Sequence, residues 1–219
     1  MRNKSLFMTF AILIIAINLV AQGVNNSVPH EMGTFTDYRD NKIYKTVKID
    51  TQIWFAENLA YNAGGGCIAN NNATDPTNYG FLYNWGTSNN VCPSGWHLPS
   101  EKEWEVLIDF LGGKYNAPKK MRATTGWQDE NDAATNASGF TGLPGGFGGF
   151  DQRGFNKKDL GKVGYFASSK GTGTNFYFWA FKLENGDHAL DASSVSLGGF
   201  IGAVLLQNTF FVSVRCIKN

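Results

Sequence analysis

Cys92-Pro93-Ser94-Gly95-Trp96-His97-Leu98-Pro99-Ser100-Glu101-Lys102-Glu103-Trp104 runs on into Glu105-Val106-Leu107-Ile108-Asp109-Phe110-Leu111. Its second half reads as a helix with its start signal attached. Ser100 and Glu103 stand three apart, the spacing of a capping box. There the hydroxyl accepts from the amide of Glu103 and the carboxylate reaches back to the amide of Ser100. Glu101 and Glu103 also lie at the positive end of the helix dipole. Trp104, Leu107, Ile108 and Leu111 then recur at i, i+3, i+4 and i+7, a single apolar stripe. Gly112-Gly113 supplies a left-handed stop. The stripe predicts one dominant helix, about residues 101–111, pressed by Trp104 against a sheet.

Outward from this helix the chain reads as strands and loops. Ile43 to Ile49 is rich in β-formers, with Tyr44, Thr46 and Lys48 on one face and Ile43, Val47 and Ile49 on roughly the other. Asp50-Thr51 turns it into a second strand from Gln52, which makes a hairpin. Ala56 to Leu59 is expected to form one helical turn. Ala63 to Asn78 is a polar Gly/Asn loop holding Cys67, and Tyr79 to Trp85 packs inward. Tyr115 to Trp127 is basic and ends in a turn, and Gln128 to Ser138 is a polar loop. The run from Gly139 to Phe150 alternates glycines with anchoring phenylalanines. Late strands are expected at Val163 to Ser168, Phe176 to Leu183, Val195 to Leu206 and Phe210 to Ile217, antiparallel across turns at Gly171 to Gly173 and Glu184 to Asp187. This is an α+β content, antiparallel sheets with one dominant helix and long Gly-rich loops.

The first 21 residues read as a secretory signal peptide: Arg2 and Lys4, an apolar run from Leu6 to Ala16, then Ala21 before Gln22. The run is short for a membrane span of about 20 residues, so the mature chain is expected to carry no transmembrane segment. Losing Arg2 and Lys4 takes the formal charge from +1 to −1, a balance that argues against nucleic acid as partner. Residues 22–34, with His30, lack periodicity and read as a linker. Residues 35–219 are then one domain.

Catalytic signatures are scarce. His30, His97 and His188 are far apart, and no HxH, HExxH or CxxC spacing suggests a metal. His97 reads as a structural hydrogen-bonder. No GxSxG elbow or phosphate loop is present. A glycosidase needs two carboxylates facing one cleft, and the acids of the late loops read as solvated.

Five stretches nonetheless resemble, in order, the Fibrobacter succinogenes major paralogous domain, a family of secreted bacterial proteins. They are Ile53-Trp54-Phe55-Ala56-Glu57-Asn58-Leu59, Tyr79 to Trp85, Cys92 to Ser100, Gly139-Phe140 with Leu143-Pro144-Gly145-Gly146, and Ser213-Val214-Arg215-Cys216. More distantly, Trp85, Cys92, Gly95 to Leu98, Glu103 and Arg215-Cys216 look like C-type lectin-like domains and formylglycine-generating enzymes. The lectin-like resemblance implies a Cys92–Cys216 disulfide, with Cys67 free. Beside the closing cysteine, Arg215 is expected to hold a fixed carboxylate or carbonyl partner, with Glu103 the candidate. In that fold function sits on long loops among the late strands, here residues 126–161. Trp127 would stack on a sugar, with Asp129, Asp132, Asp151 and Arg153 beside it, and the carboxylates could take sugar hydroxyls or calcium. No other cofactor is expected.

The expected function is a secreted or surface-associated, non-catalytic binding module of a bacterium, for a glycan or a protein. Two alternatives stand beside it. One is a secreted enzyme, either an oxidase related to formylglycine-generating enzymes or a hydrolase; the other is a structural surface protein.

Overall fold

The computed structural model describes residues 28–69, 79–128, 134–151, 154–172, 175–181, 190–196 and 210–219. Along the chain these form β1 (His30–Asp37), β2 (Lys42–Ile49), β3 (Gln52–Phe55), a 3-10 turn (Gly64–Gly66), β4 (Cys67–Ala69), β5 (Phe81–Asn84) and α1 (Trp85–Ser88). Then come β6 (Trp96–His97), α2 (Glu101–Phe110), α3 (Ala117–Met121), β7 (Phe147–Asp151) and β8 (Gly154–Lys158). The late strands are β9 (Gly164–Thr172), β10 (Asn175–Phe181), β11 (Leu190–Ser196), β12 (Phe210–Ser213) and β13 (Ile217–Lys218). The fold is sheet-rich α+β, with α2 the longest helix among the described residues.

One sheet has the order β1-β2-β3-β13-β6 and the other β11-β10-β9-β12-β5-β4, with β7 and β8 attached through β12. Pairing is antiparallel except for β12 beside β9. The β2–β3 hairpin forms as expected, with Val47 opposite Trp54. Its side chains alternate between two cores, as a pleat requires. Val47, Ile49 and Trp54 join the cluster of Trp104, Leu107 and Ile108 on α2. Tyr44 and Phe55 face the other way, into the cluster of Leu59, Tyr83 and Val212.

The capping box forms at Ser100 and Glu103, and Trp104, Leu107 and Ile108 are buried. Past Leu111, Gly112 and Gly113 both take positive φ, and the Gly113 amide donates to the Ile108 carbonyl. In the Leu143-Pro144-Gly145-Gly146 segment, Gly146 has φ +61° and a Cβ there would collide with the Lys158 carbonyl. Only glycine fits that approach.

Several expectations are corrected. The linker gives way to β1 at His30, because residues 30–33 pair with residues 46–49 of β2. His30 is therefore a strand residue. Ala56 to Leu59 forms no helical turn; the amides of Ala56 and Leu59 donate instead to Lys45 and Val214 carbonyls in other segments. The Phe210 to Ile217 strand is two strands in different sheets, broken at Val214–Cys216 where the chain crosses between them. Residues 190–196 are already a strand, so β11 begins before Val195. α3, with Pro118 in its first turn, and the β7–β8 pair were not foreseen. The leader, residues 22–27, the turn residue Gly173, the turn at residues 184–187, His188 and the stretch 197–206 lie outside the described residues.

Candidate functional site

The crossing at Val214–Cys216 puts Arg215 fully inside the protein. Val214 and Cys216 turn to the cluster of Tyr44 and Phe55. Arg215, on the opposite side of the strand, lies 4.5 Å from the Phe140 ring centroid and 5.5 Å from that of Phe166. Its Nε donates to Asn58 Oδ1 at 2.8 Å. One terminal nitrogen donates to the carbonyls of Phe55 at 3.1 Å and Phe140 at 2.5 Å, and the other to that of Thr141 at 2.6 Å. A planar fork with five N–H groups suits such a set of acceptors. Burial pushes the guanidinium down to about 9, against the opposing pull of Glu57, so it stays charged at neutral pH.

The expected partner, Glu103, is not among these acceptors. Its Oε2 takes the Ser100 amide and hydroxyl, both at 2.7 Å, and its Oε1 meets His97 Nε2 at 2.8 Å. His97 Nδ1 is 2.7 Å from Asn219 Oδ1, so this histidine joins α2 to the C-terminus as a structural hydrogen-bonder. Burial pushes the Glu103 carboxyl up, but the Ser100 and His97 hydrogen bonds outweigh it and the net shift is downward.

Arg215 also supports a cleft. Asn58 and Thr141, which it holds from within, line an open depression of about 470 Å³. Ala56, Asn58 and Ala123 are buried and form its deeper lining; Lys42, Ile43 and Lys45 come from β2, and Thr125, Thr141 and Leu143 from the loops after α3. Ile43, which is 63% exposed, and Lys45 share the Val47 face of β2, whereas Lys42 falls on the Tyr44 face, its ammonium 5.3 Å from that ring's centroid. Glu57 is half-buried, and its Oε2 accepts from the Lys45 amide at 3.3 Å.

The residues expected to bind ligand fare differently. Trp127 is 8% exposed and joins the main core, with the Arg122 guanidinium 5.3 Å from its ring centroid. It is a core side chain, not an open stacking platform. Asp129, Asp132 and Arg153 lie outside the described residues. Asp151 ends β7, with only its backbone described. The loop region 126–161 does reach the cleft, through Thr141 and Leu143. Among the described residues no three His, Cys, Asp or Glu side chains gather as a metal set. The implied Cys92–Cys216 disulfide is present, with Cα atoms 5.8 Å apart. It leaves Cys67 no cysteine of its own chain to pair with.

The five stretches noted in the sequence thus meet in one place. Asn58 receives Arg215 and donates to the Tyr79 carbonyl and the Ser213 hydroxyl; Phe140 stacks on Arg215; and Cys216 is bonded to Cys92. Residues 47–218 match the family model of the Fibrobacter succinogenes major domain. The chain belongs to this family. No curated protein and no solved structure matches it. In this Fibrobacter succinogenes major domain the family stretches build the frame. Lys42, Ile43, Lys45 and Thr125, which sequence reasoning did not single out, lie outside those stretches and shape the cleft. Lys45 has a sequence signal in the hairpin, which sets it beside Ala56; Thr125 flanks no family stretch and has none.

Proposed function

We propose that this chain is an exported, non-catalytic binding module on a C-type lectin-like scaffold, and that the cleft of Lys42, Ile43, Lys45 and Glu57 receives its glycan or protein ligand. The observation that carries the reading is the coupling of an open cleft to a rigid support. One buried guanidinium grips Asn58 on one wall and Thr141 on the other. Binding residues gather where a rigid scaffold positions exposed segments, and a volume of about 470 Å³ falls in the range of roughly 300–1,000 Å³ common for small-ligand sites. Export is supported by the Cys92–Cys216 bond, since such bonds persist in oxidising compartments. The lectin-like scaffold is supported by the closing strand that this bond ties to the segment before α2.

The test is a glycan and protein array probed with the mature chain, with and without calcium. Binding is expected, and Ile43→Asp should abolish it while leaving the circular dichroism spectrum unchanged, because Ile43 is mostly exposed. Array binding that survives Ile43→Asp would place the ligand surface elsewhere and overturn the reading.

A further inference from the structure

Among the described residues β1 has one strand beside it, β2, and so forms an edge of its sheet. Alternation decides which of its backbone groups are free. The amide and the carbonyl of Lys45 both point to the β3 side, the amide to the Glu57 carboxylate and the carbonyl to the Ala56 amide. In an antiparallel ladder successive residues turn these groups to opposite neighbours. Tyr44, Thr46 and Lys48 therefore turn theirs to β1, where the register sets Phe35, Gly33 and Glu31 opposite them. His30, Met32, Thr34 and Thr36 are left with amides and carbonyls aimed outward, and among the described residues these meet no partner.

Natural sheets blunt such an edge with proline, lysine, a bulge or short length. The eight residues of β1 hold neither Pro nor Lys, and its register with β2 runs unbroken from His30 to Asp37. Residues 30–34 are exposed, and Met32, at 49%, leaves apolar surface beside the open edge. The sequence of β1 matches itself. Set antiparallel against a second copy with Gly33 on the twofold axis, His30 falls opposite Thr36 and Met32 opposite Thr34. Each outward residue then meets an outward residue, and Glu31 faces Phe35, so no like charges oppose. An axis at Thr34 would set Glu31 against Asp37, two acids face to face. An axis at Met32 would leave Thr36 opposite Val28, which precedes the strand. At Gly33 the pair on the axis is of the closer, non-hydrogen-bonded kind, and glycine puts no side chain into it.

We propose that two copies of this chain associate through β1, joining their β1-β2-β3-β13-β6 sheets into one continuous antiparallel sheet about a twofold axis at Gly33. The interface is isologous and closed, because each copy uses up its open β1 edge. It stands apart from the reading of the cleft.

The experiment is analytical ultracentrifugation of the mature chain, with amide hydrogen exchange read by NMR at low and high protein concentration. A concentration-dependent dimer is expected. The amides of Met32, Thr34 and Thr36 should gain protection as it forms, while those of Gly33 and Phe35 are protected by β2 at every concentration. Thr34→Pro removes an outward donor and no bond of the β1–β2 ladder, since an edge strand accepts proline on its open side. The loss falls on both copies, so association should weaken about tenfold or more, with the circular dichroism spectrum unchanged. Should that variant misfold, Met32→Lys with Thr34→Lys, both at exposed positions, opposes lysines across the axis and should weaken association likewise. A chain that stays monomeric up to millimolar concentration overturns the proposal. So does a dimer that survives the folded variants, or one in which the Met32, Thr34 and Thr36 amides gain no protection.

Discussion

Asn58 Oδ1 and the carbonyls of Phe55, Phe140 and Thr141 all accept from the Arg215 guanidinium. Arg215→Met would fill much of the same volume and leave four acceptors without their donor. Each buried acceptor left unsatisfied costs about 1–3 kcal/mol, offset in part because a charge is no longer buried, and urea unfolding should show a lowered midpoint. An unchanged midpoint would mean that water or a neighbour satisfies those oxygens. Arg215→Lys should fall between, since an ammonium cannot reach all four acceptors in one plane. The sequence makes a partner for Arg215 expected in so charge-poor a chain, yet points to Glu103. Glu103 is saturated by Ser100 and His97, and its two neighbours make a pH prediction. Its carboxyl lies below the ordinary value of 4.5 in the folded chain. A depressed carboxyl stabilises the fold above its unfolded value and loses that contribution as pH falls through the folded one. The thermal midpoint of Glu103→Gln should therefore fall less between about pH 5 and pH 2 than that of the unaltered chain. Parallel pH curves for the two proteins would count against it. Ser100→Ala, which removes the other half of the cap, should cost about 1 kcal/mol at neutral pH.

At the scale of elements, α2 is held by its stripe more than by its caps. Trp104 meets Trp54 at 4.8 Å between ring centroids, Phe140 at 5.8 Å and Phe166 at 6.1 Å. Trp104→Ala should cost about 3–5 kcal/mol, the usual range for emptying a buried aromatic site. Phe110→Ala, on the outer face at 40% exposure, should stay within about 1 kcal/mol. Comparable losses at both positions, read by chemical denaturation, would refute the assignment of faces. The helix and the β2–β3 hairpin were legible because their signals are local: a cap of two residues three apart, a stripe with period 3.6, an alternation with period 2. The break between β12 and β13 was not legible. Val212 to Ile217 alternates smoothly enough for one strand, and only the demand of two sheets for neighbouring edges divides it.

For the whole molecule, the Cys92–Cys216 bond spans 124 residues and ties the segment before α2 to the last strand. In the chain-entropy account a loop of this length stabilises the fold by roughly 4–5 kcal/mol. Denaturation of the reduced, alkylated chain, or of Cys92→Ser with Cys216→Ser, should show a loss of that order. A loss under about 1 kcal/mol would mean that the unfolded chain is already constrained without the bond. Residue types and their short-range spacing settled the α2 helix, its cap and the β2–β3 hairpin, and the lectin-like resemblance implied the pairing of cysteines. The cleft was decided only by tertiary structure. Arg215 reaches Asn58 and Phe140 across 157 and 75 residues of chain, and three of its four acceptors are backbone carbonyls. Every residue carries that carbonyl, so no side-chain pattern marks which ones will be gathered. Lys45 and Glu57 are neighbours across a local hairpin, but Thr141 joins them only because the buried guanidinium holds its carbonyl together with Asn58.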